Sequence, residues 1–161
     1  MGSANDFDFL HGQWDVEHRR LKQRFANCTD WEVACATDSV RPVLHGRGNL
    51  GTFRRELFGR PFEGLSIRTF NPRTGEWSIY WLDSFGLEIE PPVVGKFVDG
   101  VGVFEGTNIE GGEAVAVRFV WKDIEAKTAT WQQWLSKDGR AWELVSEMYF
   151  RRSEQLKRQR T

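Results

Sequence analysis

Alternation is the feature that most constrains this chain. Along most of its 161 residues, apolar and polar side chains change places at every second position, and each run is short. In "QWDVEHRR", Trp14, Val16 and His18 share one side, while Gln13, Asp15, Glu17 and Arg19 share the other. "WEVACATD" repeats the pattern, with Trp31, Val33, Cys35 and Thr37 on one face. "EAVAVRFVWKD" sets Val115, Val117, Phe119 and Trp121 against Ala114, Ala116, Arg118 and Val120. A period of two is the mark of a strand with one buried face.

The runs are punctuated by turn chemistry. "NPRTG" lies between "FEGLSIRTF" and "EWSIYWLD". An Asp-Gly pair divides "GKFV" from "VGVFEG", and "KDGR" divides "TATWQQWLS" from "AWELVSEMYFRR". Asp-Gly between β-branched and aromatic residues is the strongest short-range hairpin signal. "RPVLHGRGNLG" reads as extended but Gly-rich, as where a strand bends sharply. Helical periodicity is weak; the candidates are "NDFDFLHG", a short turn ahead of the first strand, and the tail "SEQLKRQR". About eight to ten antiparallel strands joined by tight turns either stack as a sandwich or close on themselves. Closure removes edges and leaves room for a lumen. The expectation is an all-β, up-and-down, lipocalin-like barrel, plugged at one end by the opening turn. It forms a single domain over 1–161, with the barrel at 7–152 and a basic, solvated tail at 153–161.

Composition narrows the function. A net charge of −1 provides no field for nucleic acid or anionic membrane. No apolar run reaches membrane length and no signal peptide is visible, so the cytoplasm is the default location. Cys28 and Cys35 make neither a disulfide framework nor a zinc pattern. The anomaly is aromatic: eight Trp and twelve Phe. So many rigid apolar surfaces fill a core or line a pocket, and eight indoles are more than a small core accommodates with every N–H paired. Trp14, Trp31, Trp81, Trp121, Trp131 and Trp142 are therefore candidate cavity residues for a small apolar or aromatic molecule.

The candidate chemistry follows from the faces. His18 shares a side with Trp14 and Val16; it is either a satisfied core histidine or an acid/base facing a cavity. Asp83 continues the face of Trp77, Ile79 and Trp81, either as an inward carboxylate or as the cap of the following loop. Arg118, among small residues, either anchors an anionic oxygen in a pocket wall or points outward. Should Val117, Phe119 and Trp121 be the inward set, Arg118 is outside. Arg68, His45, Gln133 and Ser146 complete the binding set. No Gly-x-Ser-x-Gly elbow occurs, and "GRGNLG" lacks the Lys and the context of a phosphate loop. No His-x-His or His-x-x-x-His spacing exists, so no metal is expected. Homodimerisation is left open.

Several stretches carry a resemblance: "FDFLHGQWDVEHRRL", "LHGRGN", "LSIRTFNPRTGEWSIYW", "PPVVGKF", "VGVFEG", "VRFVW" and "WQQWLSKDGRAWE". Over roughly Phe7 to Arg152 the chain resembles a bacterial family of calycin-like small β-barrel proteins. Its opening, a Phe-rich turn before Gly-x-Trp-x-Val, is similar to that of nitrobindin-like and fatty-acid-binding-like barrels. The resemblance implies an antiparallel barrel and no particular activity. A nitrobindin-like haem would need one axial His, which in such barrels lies late in the chain; here none follows His45, so no cofactor is expected. Where that family usually carries Asn and Trp after "WE", this chain has Val145 and Ser146; where it has Glu-Gln, this chain has Gln132 and Gln133. A Ser in place of a Trp would enlarge or reshape the cavity. The expected function is binding of an apolar or aromatic molecule in the lumen, as a cofactor-independent cyclase or isomerase using His18, Asp83 and Arg118. The alternatives are a non-catalytic carrier, a haem-binding barrel, or a filled barrel acting through its rim.

Overall fold

A computed structural model describes residues 2–154. Ten strands follow one another: β1 (Gly12–Leu21), β2 (Trp31–Val43), β3 (Gly48–Leu57), β4 (Arg60–Asn71), β5 (Glu76–Asp83), β6 (Val93–Val98), β7 (Val101–Glu110), β8 (Glu113–Lys122), β9 (Thr128–Ser136) and β10 (Glu143–Arg152). Each pairs antiparallel with the next, and β10 returns to pair with β1, closing the barrel. The period-two pattern explains the closure: every strand has one apolar face, and only a closed sheet buries all ten without leaving an edge. No helix among the described residues is long and apolar enough to cross a membrane. All but the first two residues of "SEQLKRQR" lie outside the described residues.

One end is plugged. A 3-10 turn at Asp8–Leu10 follows Phe7, and Phe7 and Leu10 are fully buried. Phe7 meets Trp77 and Phe97 edge-on, with ring centres 5.0 and 4.9 Å apart, and lies nearly parallel to Phe104. Such pairs add roughly 0.5–1.5 kcal/mol each beyond burial. Trp14 belongs to this plug. Its indole N–H donates to Leu10 O at 2.8 Å, and the Arg152 guanidinium lies 4.0 Å over its ring.

The Gly-rich bend resolves differently from the expectation. β2 stops at Val43, Leu44 and His45 adopt positive φ, and β3 starts at Gly48, so the stretch is a hairpin connection rather than one bent strand. Two further hairpin turns, at Phe58-Gly59 and Gly111-Gly112, also lie at positive φ. Neither was singled out in the sequence.

Candidate functional site

Parity decides what faces the lumen. His18 pairs with Ala34 across β1 and β2, and Trp14 with Asp38. Directly opposed residues project to the same side, so β2 turns Ala34, Ala36 and Asp38 inward and Trp31 outward. On β3 the inward series is Gly51, Phe53 and Arg55; on β8 it is Val117, Phe119 and Trp121; on β10 it is Ser146, Met148 and Phe150. These faces enclose a cavity of about 240 Å³. Phe53, Phe62, Trp81, Phe119, Trp121 and Trp131 form its aromatic wall. Trp81 lies against Gly64, where a Cβ would fall 2.0 Å from the ring. Only glycine lets the indole lie that close to β4.

Polar groups cluster at two levels. In the half remote from the plug, His18 Nε2 lies 2.8 Å from Ser146 Oγ, and Arg55 Nη1 lies 2.9 Å from His18 Nδ1. Arg55 also pairs with Glu32, which in turn holds Arg20 at 3.0 Å. The direction of this chain of bonds is fixed by chemistry. A guanidinium has only donors, so Nδ1 accepts, the imidazole proton resides on Nε2, and that N–H donates to Ser146. The serine oxygen is thereby used as an acceptor, and its own proton is free to be donated toward the lumen that Ser146 lines. Burial, and then the positive charge of Arg55, lower the His18 pKa from 6.5 to about 4, so the ring is neutral at physiological pH. Burial raises the proton affinity of Glu32, but hydrogen bonds from Arg55 and Arg20 outweigh it and hold the carboxyl below its ordinary value. Histidine here does not activate serine as a nucleophile; the arginine makes it a donor to serine.

The second level is the lumen floor, above the plug. Arg68 is buried, with its guanidinium over Phe7 and Trp121 and its Nη1 donating to Asn49 Oδ1 at 2.8 Å. Burial lowers its pKa to about 10, partly opposed by Asp38. Burial likewise raises Asp38, against the charge of Arg68.

The structure sorts the sequence candidates. His18, Arg68, Trp81, Trp121, Trp131, Gln133 and Ser146 line the cavity, and so does Asp83. Asp83 nevertheless behaves as a cap: its carboxylate accepts from Trp81 Nε1 at 3.0 Å and from the backbone N–H of Phe85 and Gly86 at 2.9 Å. Arg118 is corrected. Val117, Phe119 and Trp121 point inward, so Arg118 points outward, 3.9 Å over Trp142 and 3.5 Å from Glu105. Trp142 is thus also off the lumen. Trp31 is outside, beneath the Arg19 guanidinium. Trp14 sits in the plug, and His45 is exposed on its 3-10 turn. Arg55, Glu32 and Asp38 were missed, although the parity of Phe53 placed Arg55 inward and the parity of His18 did the same for Asp38 once the β1–β2 register is known.

His18 offers no free nitrogen to a haem iron. Both ring nitrogens of this inward residue are engaged, Nε2 with Ser146 and Nδ1 with Arg55, so neither is left to serve as an axial ligand. Among the described residues, no three His, Cys, Asp or Glu side chains converge to hold a metal ion.

In shape, the chain is similar to the crystal structure of Rv2717c from M. tuberculosis, with a TM-score of 0.57 over 96% of this chain and 99% of that one. The likeness is one of fold. At 13% identity it establishes the barrel and no activity. No known family's sequence profile matches the chain, and no curated protein matches it.

Proposed function

We propose that the barrel binds a compact, ring-bearing molecule with a carbonyl oxygen, and that Ser146 donates its hydroxyl proton to that oxygen. The carrying observation is the one-way chain of hydrogen bonds from Arg55 through His18 to Ser146. A buried guanidinium at its start polarises each bond along it, and the effect is greatest in a low-dielectric lumen. Donors aimed at a developing oxyanion are the largest single contribution in many enzymes. The role first given to Arg118, stabilising negative charge, passes to Arg55 acting through His18.

The complementary group is Glu90, which lines the same cavity. Glu90 is exposed on its other side; partial burial, and then the neighbouring Asp83, raise its proton affinity, which suits a general base. Glu90 would take a proton from the carbon next to the carbonyl. The enolate oxygen would be held by Ser146, and the proton would return at a different carbon. The product is an isomer of the substrate, or a ring if the enolate carbon adds to a second carbonyl in the same molecule, whose C=O π bond breaks and whose oxygen takes the proton back from Glu90, with no cofactor required. The cavity lies below the roughly 300–1,000 Å³ of drug-sized sites, which suits a molecule of one or two rings.

Acetophenone is a suitable probe. Its C=O stretch in complex with wild type should move to lower wavenumber than in an apolar solvent. Ser146→Ala should abolish the shift, and Arg55→Met should reduce it while binding persists. A bound ketone with an unshifted C=O in wild type would reduce the protein to a carrier, the second reading.

A further inference from the structure

We infer that the lumen floor is a distinct subsite built to take one hydroxyl group, alcoholic or phenolic, of the bound molecule. This deepens the reading above and rests on it only in assuming that the lumen is a binding site. Three side-chain atoms at the floor have no hydrogen-bond partner among the described residues: Arg68 Nε, Asn49 Nδ2 and Asp38 Oδ1. Arg68 and Asp38 are 4% and 6% exposed, and both line the cavity. Leaving a buried polar group unpaired is costly, the more so when it is charged, so a donor on Arg68 and an acceptor on Asp38 that line one lumen call for a group that satisfies both.

Gly51 lets Arg68 and Asp38 close over the inward face of β3. It lies on the inward face of β3, and a Cβ there would fall 3.2 Å from Arg68 Nη1 and 3.3 Å from Asp38 Oδ1. No side chain of β3 intrudes between the guanidinium and the carboxylate. The chemistry of the occupant follows from the unused valences. A hydroxyl accepts from Arg68 Nε and donates to Asp38 Oδ1 at once. It is also neutral, so Arg68 and Asp38 keep their mutual charge balance. A carboxylate would accept from Arg68 but bring a second negative charge against Asp38, and could bind only with uptake of a proton.

The test compares phenol, benzene and benzoate on the intact protein, following the indole N–H signal of Trp121, whose ring lies 5.8 Å from the Arg68 guanidinium carbon. Phenol should bind at least tenfold tighter than benzene. Gly51→Ala, whose methyl group presses on Arg68 Nη1 and Asp38 Oδ1 and moves them apart, should erase that preference while benzene still binds. Arg68→Met removes the donor at similar length and should do the same, which covers the case that Gly51→Ala fails to fold. Ser146→Ala should leave the preference for phenol intact. Equal affinity for phenol and benzene would mean that solvent alone satisfies the floor, and would overturn the inference. So would a preference that survives Gly51→Ala, or tighter binding of benzoate with proton uptake. An unshifted ketone C=O in wild type with the phenol preference retained would sink the carbonyl reading and spare this one.

Discussion

Acidification should strip about 3 kcal/mol from the native state through His18 alone. Burial first, and Arg55 second, lower its pKa to about 4, against 6.5 for a fully solvated histidine. Between those values the unfolded chain binds a proton that the native state refuses, so stability is complete above pH 6.5 and falls as the pH drops toward 4. At about 1.4 kcal/mol per tenfold difference in proton affinity, with the native group half-titrated at pH 4, the loss is about 3 kcal/mol. Glu32 and Glu147, both held low in the folded state, add their own acid lability. Asp38 and Glu90, both raised, act in the opposite sense. The comparison is therefore wild type against His18→Gln, in which these carboxyls remain. Urea unfolding at pH 8, 6, 5 and 4 should show wild type losing about 3 kcal/mol more than the variant. Parallel stability curves would mean that His18 is solvated or already charged, and the direction assigned to its hydrogen bonds would fall with it.

Three substitutions probe other parts of the account. Phe7→Ala removes the centre of the plug and should cost about 3–5 kcal/mol in urea unfolding. Arg118→Ala, on the outer face, should leave acetophenone affinity within about twofold, since Arg118 does not line the lumen; a larger loss would return Arg118 to the site. Gly64→Ala displaces the Trp81 ring and breaks its bond to Asp83. Overpacking of this kind costs about 1–3 kcal/mol, and the displaced ring should both shift the Trp emission and weaken acetophenone binding.

How much of this was legible beforehand depended on where parity could be anchored. β1 announced itself, because Trp14 and Val16 are unmistakably inward and carry His18 with them. β8 offered two faces of comparable hydropathy. Arg118 among alanines looked like a pocket wall until Phe119 and Trp121 took the inside, as they must to bury the larger apolar area. β2 misled in the same way, since Trp31 and Val33 are outside while Asp38 is inside. No local pattern reveals that; the register with β1 does. Adjacent arginines at 54 and 55 give no preference by type, yet Arg54 is exposed on Glu63 and Arg55 is buried on His18. The departure at Ser146 was visible as a small residue in place of a large one. Its partnership with His18, 128 residues earlier, exists only because β10 closes onto β1.

The most direct test of the central claim is the ring tautomer of His18, read from its two nitrogen-15 shifts at pH 7. With three histidines in the chain, assignment is short work. A neutral ring protonated on Nε2, with Nδ1 bare beneath Arg55, is the predicted result. A proton on Nδ1, or on both nitrogens, would contradict it, because Ser146 would then have no donor behind it and no reason to offer its own proton to a ligand.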